Sequence, residues 1–115
     1  MRARTKAYAL QIIALYSSLS KQQEAQILGR QMLRSGTSVG ANYREGSRGR
    51  SDAEVAAKFN ICIQELDETA YWIELLIDAQ LAPSAACAPL LDETQQLTAM
   101  LTSAVLKLRR RIAGN

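Results

Sequence analysis

Histidine is absent from this 115-residue chain. That removes the side chain that most often moves protons near neutral pH, and with it most catalytic schemes built on a nucleophile and an imidazole base. Cysteine is scarce: only Cys62 and Cys87. Cys62 falls on an apolar helical stripe, where a free thiol acts as a small hydrophobe, so both thiols are expected reduced and structural. Proline occurs only at 83 and 89. No alternating run is long enough for a strand, and there is no repeat or low-complexity tract. No apolar run approaches the ~20 residues of a membrane span. The start, Met1-Arg2-Ala3-Arg4, leads into an amphipathic pattern interrupted by Gln11. This is not the unbroken apolar core of a signal peptide, and a cytoplasmic protein without membrane contact is expected.

What is present is ordinary for a globular domain: 48% apolar and 22% charged residues, enough to bury one core. A chain of this length is a single domain, residues 1–115. The charge is unevenly laid out. Residues 1–50 hold nine Lys/Arg and two acids, +7; residues 51–106 hold Lys58 and nine acids, −8; residues 107–111 add +4. A dipolar chain of this kind suits nucleic-acid binding or pairing between neighbouring subunits.

Three helices follow from periodicity. Tyr8, Ile12, Leu15 and Leu19 share one face of a first helix over about 3–19. Positions 55, 59, 62, 66, 70, 73 and 77 are all apolar and mark another over about 51–80. Ser51 and Glu54 form its capping box. Leu90, Thr94, Leu97, Leu101, Ala104 and Leu108 stripe a last helix over about 85–111. Ser84 is its expected cap, and Pro89 is tolerable only within its first turn.

Two motifs suggest chemistry. Gly36-Thr37-Ser38-Val39-Gly40 fits the G-x-S-x-G nucleophile elbow, but that elbow needs a preceding strand and a histidine. Glu65 and Glu68 stand three apart on the third helix. Inward carboxylates in a helical bundle suggest a di-iron site, yet the histidines of that ligand set are missing. Partners for buried carboxylates come instead from Asn42, Ser38, Arg34 or a tyrosine, and a structural polar layer of Asn42 with Glu65 or Glu68 is expected. No catalytic residue, metal or cofactor is expected. Trp72, with apolar flanks, reads as core or subunit interface rather than as a base-stacking platform.

The run from Leu33 to Gly46, with Phe59, Cys62, Glu65, Glu68 and Tyr71-Trp72-Ile73-Glu74-Leu75-Leu76, resembles one family: the four-helix bundle proteins first noticed inside intervening sequences of large-subunit rRNA genes. The family's usual Ile or Val before the signature Glu is replaced here by Tyr43-Arg44. The resemblance implies one long second helix, about 22–48, where propensity alone would break the chain at Ser35-Gly36-Thr37-Ser38. Gly36 and Gly40, four apart on one face, give a rationale: small residues let a neighbouring helix approach closely. The resemblance also implies a ring-shaped homopentamer. A related branch, the accessory variability determinant proteins of diversity-generating retroelements, binds nucleic acid and a reverse transcriptase through basic surfaces.

The expected fold is thus all-α, an antiparallel up-down-up-down four-helix bundle. In that topology the first helix begins where the second and fourth end. Arg2, Arg4 and Lys6, then Arg44, Arg48 and Arg50, then Lys107, Arg109, Arg110 and Arg111 would gather at one pole. Phosphate binding follows physically. The leading expectation is a non-enzymatic homo-oligomer binding RNA or DNA backbone through Arg44, Arg48, Arg50, Lys107, Arg109, Arg110 and Arg111. The alternative is a protein-interaction scaffold whose charges pair between subunits.

Overall fold

The computed structural model describes residues 1–114. Four helices form: α1 over Arg2–Ser18, α2 over Gln23–Ser47, α3 over Asp52–Asp78 and α4 over Ser84–Gly114. There is no strand among the described residues. The expected boundaries differ from these by three residues or fewer. α1 packs on α2, α2 on α3, α3 on α4, and α1 more sparsely on α4.

The stripes read from sequence supply most of the core, although Val55, Ala70, Ile77 and Ala104 are half-buried and Val105 is buried beside Ala104. Tyr8, Ile12, Leu15 and Leu19 are buried, as are Phe59, Cys62, Leu66 and Ile73 from α3 and Leu90, Leu97, Leu101 and Leu108 from α4. α2 contributes Ala25, Met32 and Val39 and runs unbroken through its glycines. An added Cβ on Gly36 would lie 2.7 Å from Ile12 Cγ1, whereas one on Gly40 would meet Thr5 Oγ1 at 3.4 Å, close to ordinary contact. Close approach of α1 therefore needs glycine at 36 more than at 40. The added contact offsets the roughly 1 kcal/mol that an interior glycine costs a helix.

Helix ends follow local chemistry. Ser51 Oγ accepts the Glu54 amide at 3.2 Å. The Glu54 carboxylate takes the Arg50 amide at 2.8 Å rather than that of Ser51, so the box closes one residue earlier than expected. α3 ends in a Schellman motif: Leu81 N donates to Leu76 O at 2.8 Å and Gln80 N to Ile77 O at 2.9 Å. Gln80 holds the left-handed position, φ 61°. Ser84 is the first helical residue of α4 and not its cap. The Pro83 carbonyl accepts the amides of Ala86 and Cys87 at 3.1 and 3.3 Å. Pro89 lies in the second turn, beyond its expected place. Its missing N–H leaves the Ala85 carbonyl without a helical donor, but both residues are exposed and water can serve.

Midway along the molecule the four helices bring together the buried hydroxyls of Tyr8, Ser35, Thr69 and Thr94. Tyr8 Oη and Thr94 Oγ1 are 2.6 Å apart, and Ser35 Oγ and Thr69 Oγ1 2.7 Å. Thr94 Oγ1 donates to Leu90 O and Thr69 Oγ1 to Glu65 O, each at 2.7 Å. Each hydroxyl carries one proton: with Thr94 engaged to Leu90 O, Tyr8 donates to Thr94, while Ser35 can donate to Thr69 or to the Met32 carbonyl at 3.3 Å. Every member is satisfied, as most buried polar groups are. Burial pushes the Tyr8 phenol up to about 12.

Candidate nucleic-acid interface

One end of the molecule is built from the C-terminus of α2, the Arg48–Ser51 connection, the start of α3 and the last turns of α4. An added Cβ on Gly46 would sit 2.8 Å from Lys58 Cβ and 3.0 Å from the Phe59 ring, so glycine draws α2 down onto α3 here. Tyr43 stacks on Phe59, with ring centroids 5.2 Å apart. That stacking packs the half-buried Tyr43 ring against the core. Arg111 grips Asp52 through two bonds of 2.6 and 3.0 Å, tying the last turns of α4 to the start of α3. This hydrogen-bonded guanidinium holds the Asp52 carboxyl below its usual range, and Asp52 raises Arg111 in turn.

The structure sorts the ten basic residues. Arg48, Arg50, Arg109 and Arg110 are exposed, together with Lys107, and Arg44 is half-buried. Among the described residues none of these six is in an ion pair. Arg111, expected among the contact residues, is engaged by Asp52. Lys58 at the same end is held by Glu45 at 2.7 Å, and that bond keeps the Glu45 carboxyl below its usual range. A hollow of about 300 Å³ lies between Arg48, Arg50, Glu45, Glu54 and Lys58.

Within the first basic group Lys6 lines one hollow with Arg44, but Arg4 departs from the expectation that all three groups gather together. Arg4 bonds Glu93 Oε2 and Oε1 at 2.7 and 2.8 Å and Gln96 Oε1 at 2.7 Å. Glu93 precedes Arg111 by 18 residues, about 27 Å of helix at ~1.5 Å per residue. The reason is length. α1 has 17 residues against 31 in α4, and Thr5 lies beside Gly40 rather than beside Arg48. α1 reaches Arg44 but begins short of Arg48 and of the last turns of α4.

The expected polar layer also changes its membership. Glu65, with a side chain 15% exposed, accepts from Ser38 Oγ at 2.7 Å and lies 3.8 Å from Arg34. Glu68 faces Arg34 at 3.9 Å. Asn42 does not reach either carboxylate: its Nδ2 donates to the Ser38 carbonyl one turn back, at 2.9 Å. Ser38 is embedded in α2, which removes the strand-to-helix turn that a nucleophile elbow requires. No three Asp, Glu or Cys side chains among the described residues are grouped to hold a metal ion. Both cysteines are free and buried. Burial pushes the Cys62 thiol up to about 11 and raises Cys87 as well. Trp72 is partly buried against the core and meets Tyr71 edge-on at 5.2 Å. The hydroxyl layer of Tyr8, Ser35, Thr69 and Thr94 escaped sequence reading. Its one signal was a threonine and a tyrosine standing inside otherwise aliphatic stripes.

Similarity to known proteins follows this geometry. A solved structure of a protein of unknown function from the S23 ribosomal protein family of Bacteroides thetaiotaomicron VPI-5482 is 33% identical, covering 90% of this chain and 96% of that one, with a TM-score of 0.85. Among curated proteins none matches. The sequence model of the 23S rRNA-intervening sequence proteins matches residues 2–103. With that match over nearly its whole length, and with four helices and no strand among its described residues, the chain belongs to the 23S rRNA-intervening sequence protein family.

Proposed function

We propose that this protein is a non-enzymatic, cytoplasmic homo-oligomer that binds RNA or DNA backbone through its basic end. The observation carrying the reading is the set of six cations, Arg44, Arg48, Arg50, Lys107, Arg109 and Arg110, that lack an ion-pair partner among the described residues. Unpaired cations on neighbouring turns keep their full attraction for phosphate and release its counterions. Among the described residues the aromatics beside them are the buried Phe59 and the half-buried Tyr43 stacked on it, so binding is to phosphate and sugar, which position without reading sequence. Two unpaired buried thiols suit a reducing compartment. Within this reading the helices run up-down-up-down, supported by pair order: Leu19 with Gly29, Ile12 with Gly36 and Thr5 with Gly40 descend α1 as they ascend α2. The assembly is the ring-shaped homopentamer implied by the family likeness, in which several basic ends act together by avidity.

The test is an anisotropy titration of structured RNA and duplex DNA at two salt concentrations. Arg48→Ala, Arg50→Ala and Arg110→Ala combined should weaken binding. The slope of log affinity against log salt should fall by roughly 2–3, at ~0.9 for each phosphate no longer neutralised. An unchanged slope removes this surface.

A scaffold reading has its own observation. Asp67, Glu74 and Asp78 are exposed acids with no ion-pair partner among the described residues. If these charges pair between subunits or with a protein partner, high salt splits the assembly.

A further inference from the structure

α1 is apolar on both sides. From Ala7 to Leu19 it carries no charged residue. Its inner stripe is buried, yet Leu10 is 58% and Ile13 43% exposed on the outer side, with Ala3, Ala7 and Ala14 exposed around them. Gln11, Ser17 and Ser18 are the exposed polar residues of this stretch, and a helix with large apolar residues on both sides is normally covered on both. Here only α2 and α4 pack on it among the described residues. Lys6, one turn before Leu10, is also exposed and is in no ion pair among the described residues.

A complementary surface exists elsewhere on the same chain. Between α3 and α4 lies a groove of about 380 Å³, lined by Leu66, Asp67, Ala70, Thr98 and Ala99 among others. Leu66 and Thr94 are its buried residues, and Ala70, Thr98 and Ala99 are small side chains beside them, which let a helix approach closely. Asp67, Tyr71, Glu74 and Asp78 recur at spacings of four, three and four along one side of α3, and all four are exposed. Tyr71 is 55% exposed. α4 carries no cation between Ser84 and Leu106, so nothing on that helix offsets the acids before the basic end. One surface offers apolar knobs beside a cation; the other offers a groove with Asp67 in its lining and further acids along the same side of α3.

We propose that the outer face of α1 docks into the α3/α4 groove of a second copy of this chain, with Leu10 and Ile13 entering the groove and Lys6 meeting the acids along α3. This rests on the homo-oligomer part of the reading above and not on nucleic-acid binding. The occupant is a second copy because the cationic apolar face and the acidic groove are complementary and lie on different sides of one molecule. Such a contact is heterologous: each subunit gives α1 to one neighbour and its groove to another. It builds a ring when the rotation closes.

Native mass tests the arrangement, with no nucleic acid present. Leu10→Glu with Ile13→Glu blocks the α1 face, and Ala99→Arg blocks the groove. All three positions are exposed, and helical circular dichroism with a melting curve shows each variant folded. Each alone should run at the mass of one chain. Mixed at high concentration they should form a one-to-one dimer, because one intact face meets one intact groove. In a parallel pair, Lys6→Glu alone should lower the assembled fraction, and adding Asp67→Lys should restore it. A wild-type monomer, a blocked variant that keeps the wild-type mass, or a mixture that stays monomeric would each overturn the proposal.

Discussion

The middle of this molecule and its basic end are both rich in polar groups, and they treat them oppositely. At the middle, Tyr8, Ser35, Thr69 and Thr94 are buried and fully engaged with one another and with backbone carbonyls. At the end, six cations stand on three segments of chain without ion-pair partners among the described residues. Groups that satisfy each other internally contribute to alignment and stability. Groups left unsatisfied at the surface contribute little to stability and keep their interaction energy for something else.

The contrast breaks most severely in the middle. Thr94→Val removes the acceptor of the Tyr8 proton and leaves a buried donor unpaired. The expected loss is about 1–3 kcal/mol in a denaturant titration. Tyr8→Phe alone should cost less, near 1 kcal/mol, because Thr94 still donates to Leu90. The double variant should cost less than the sum, since no orphaned hydroxyl remains. Strict additivity would show that the pair is not coupled.

A smaller effect of opposite sign is expected at the α3–α4 connection. Gln80 sits in the left-handed region, φ 61°, where a Cβ costs roughly 1 kcal/mol. Gln80→Gly should raise stability by up to about that amount, visible as a higher melting temperature.

The smallest stability effects belong to the basic end. Removing Arg48, Arg50 and Arg110 together should leave the melting temperature essentially unchanged while the salt slope of binding falls. The Arg111–Asp52 pair is the exception there, and its contribution depends on pH. Asp52 titrates below its unfolded value of 3.8 because Arg111 hydrogen-bonds it. The stabilisation is therefore present above that value and lost as pH falls through the lower folded value. Melting curves of Arg111→Ala and wild type should differ near neutrality and converge in strong acid. A gap persisting there would mean that Arg111 acts through something other than this carboxylate.

Much of the fold was legible because three helices carry regular aliphatic stripes. α2 was legible through the family resemblance and not through propensity, since its glycines argue against a helix until a neighbour is in place. The 2.7 Å approach at Gly36 bears out the close packing expected there, and the structure adds that α1 is the neighbour. The basic end was legible as charge but not as availability. Sequence spacing could not show that Arg111 is held by Asp52 or that α1 stops short and spends Arg4 on Glu93. The hydroxyl layer stayed hidden because Ser and Thr suit surface and core alike, and only burial separates the two.

That layer has a consequence for how the protein answers its surroundings. It contains no carboxylate, amine or imidazole, and its one acidic proton, on Tyr8, leaves only at about 12. Across the pH and salt ranges of a living cell the frame has nothing to titrate and little to screen. The surface charges respond to both. The molecule thus keeps a responsive exterior on an interior that does not register the change.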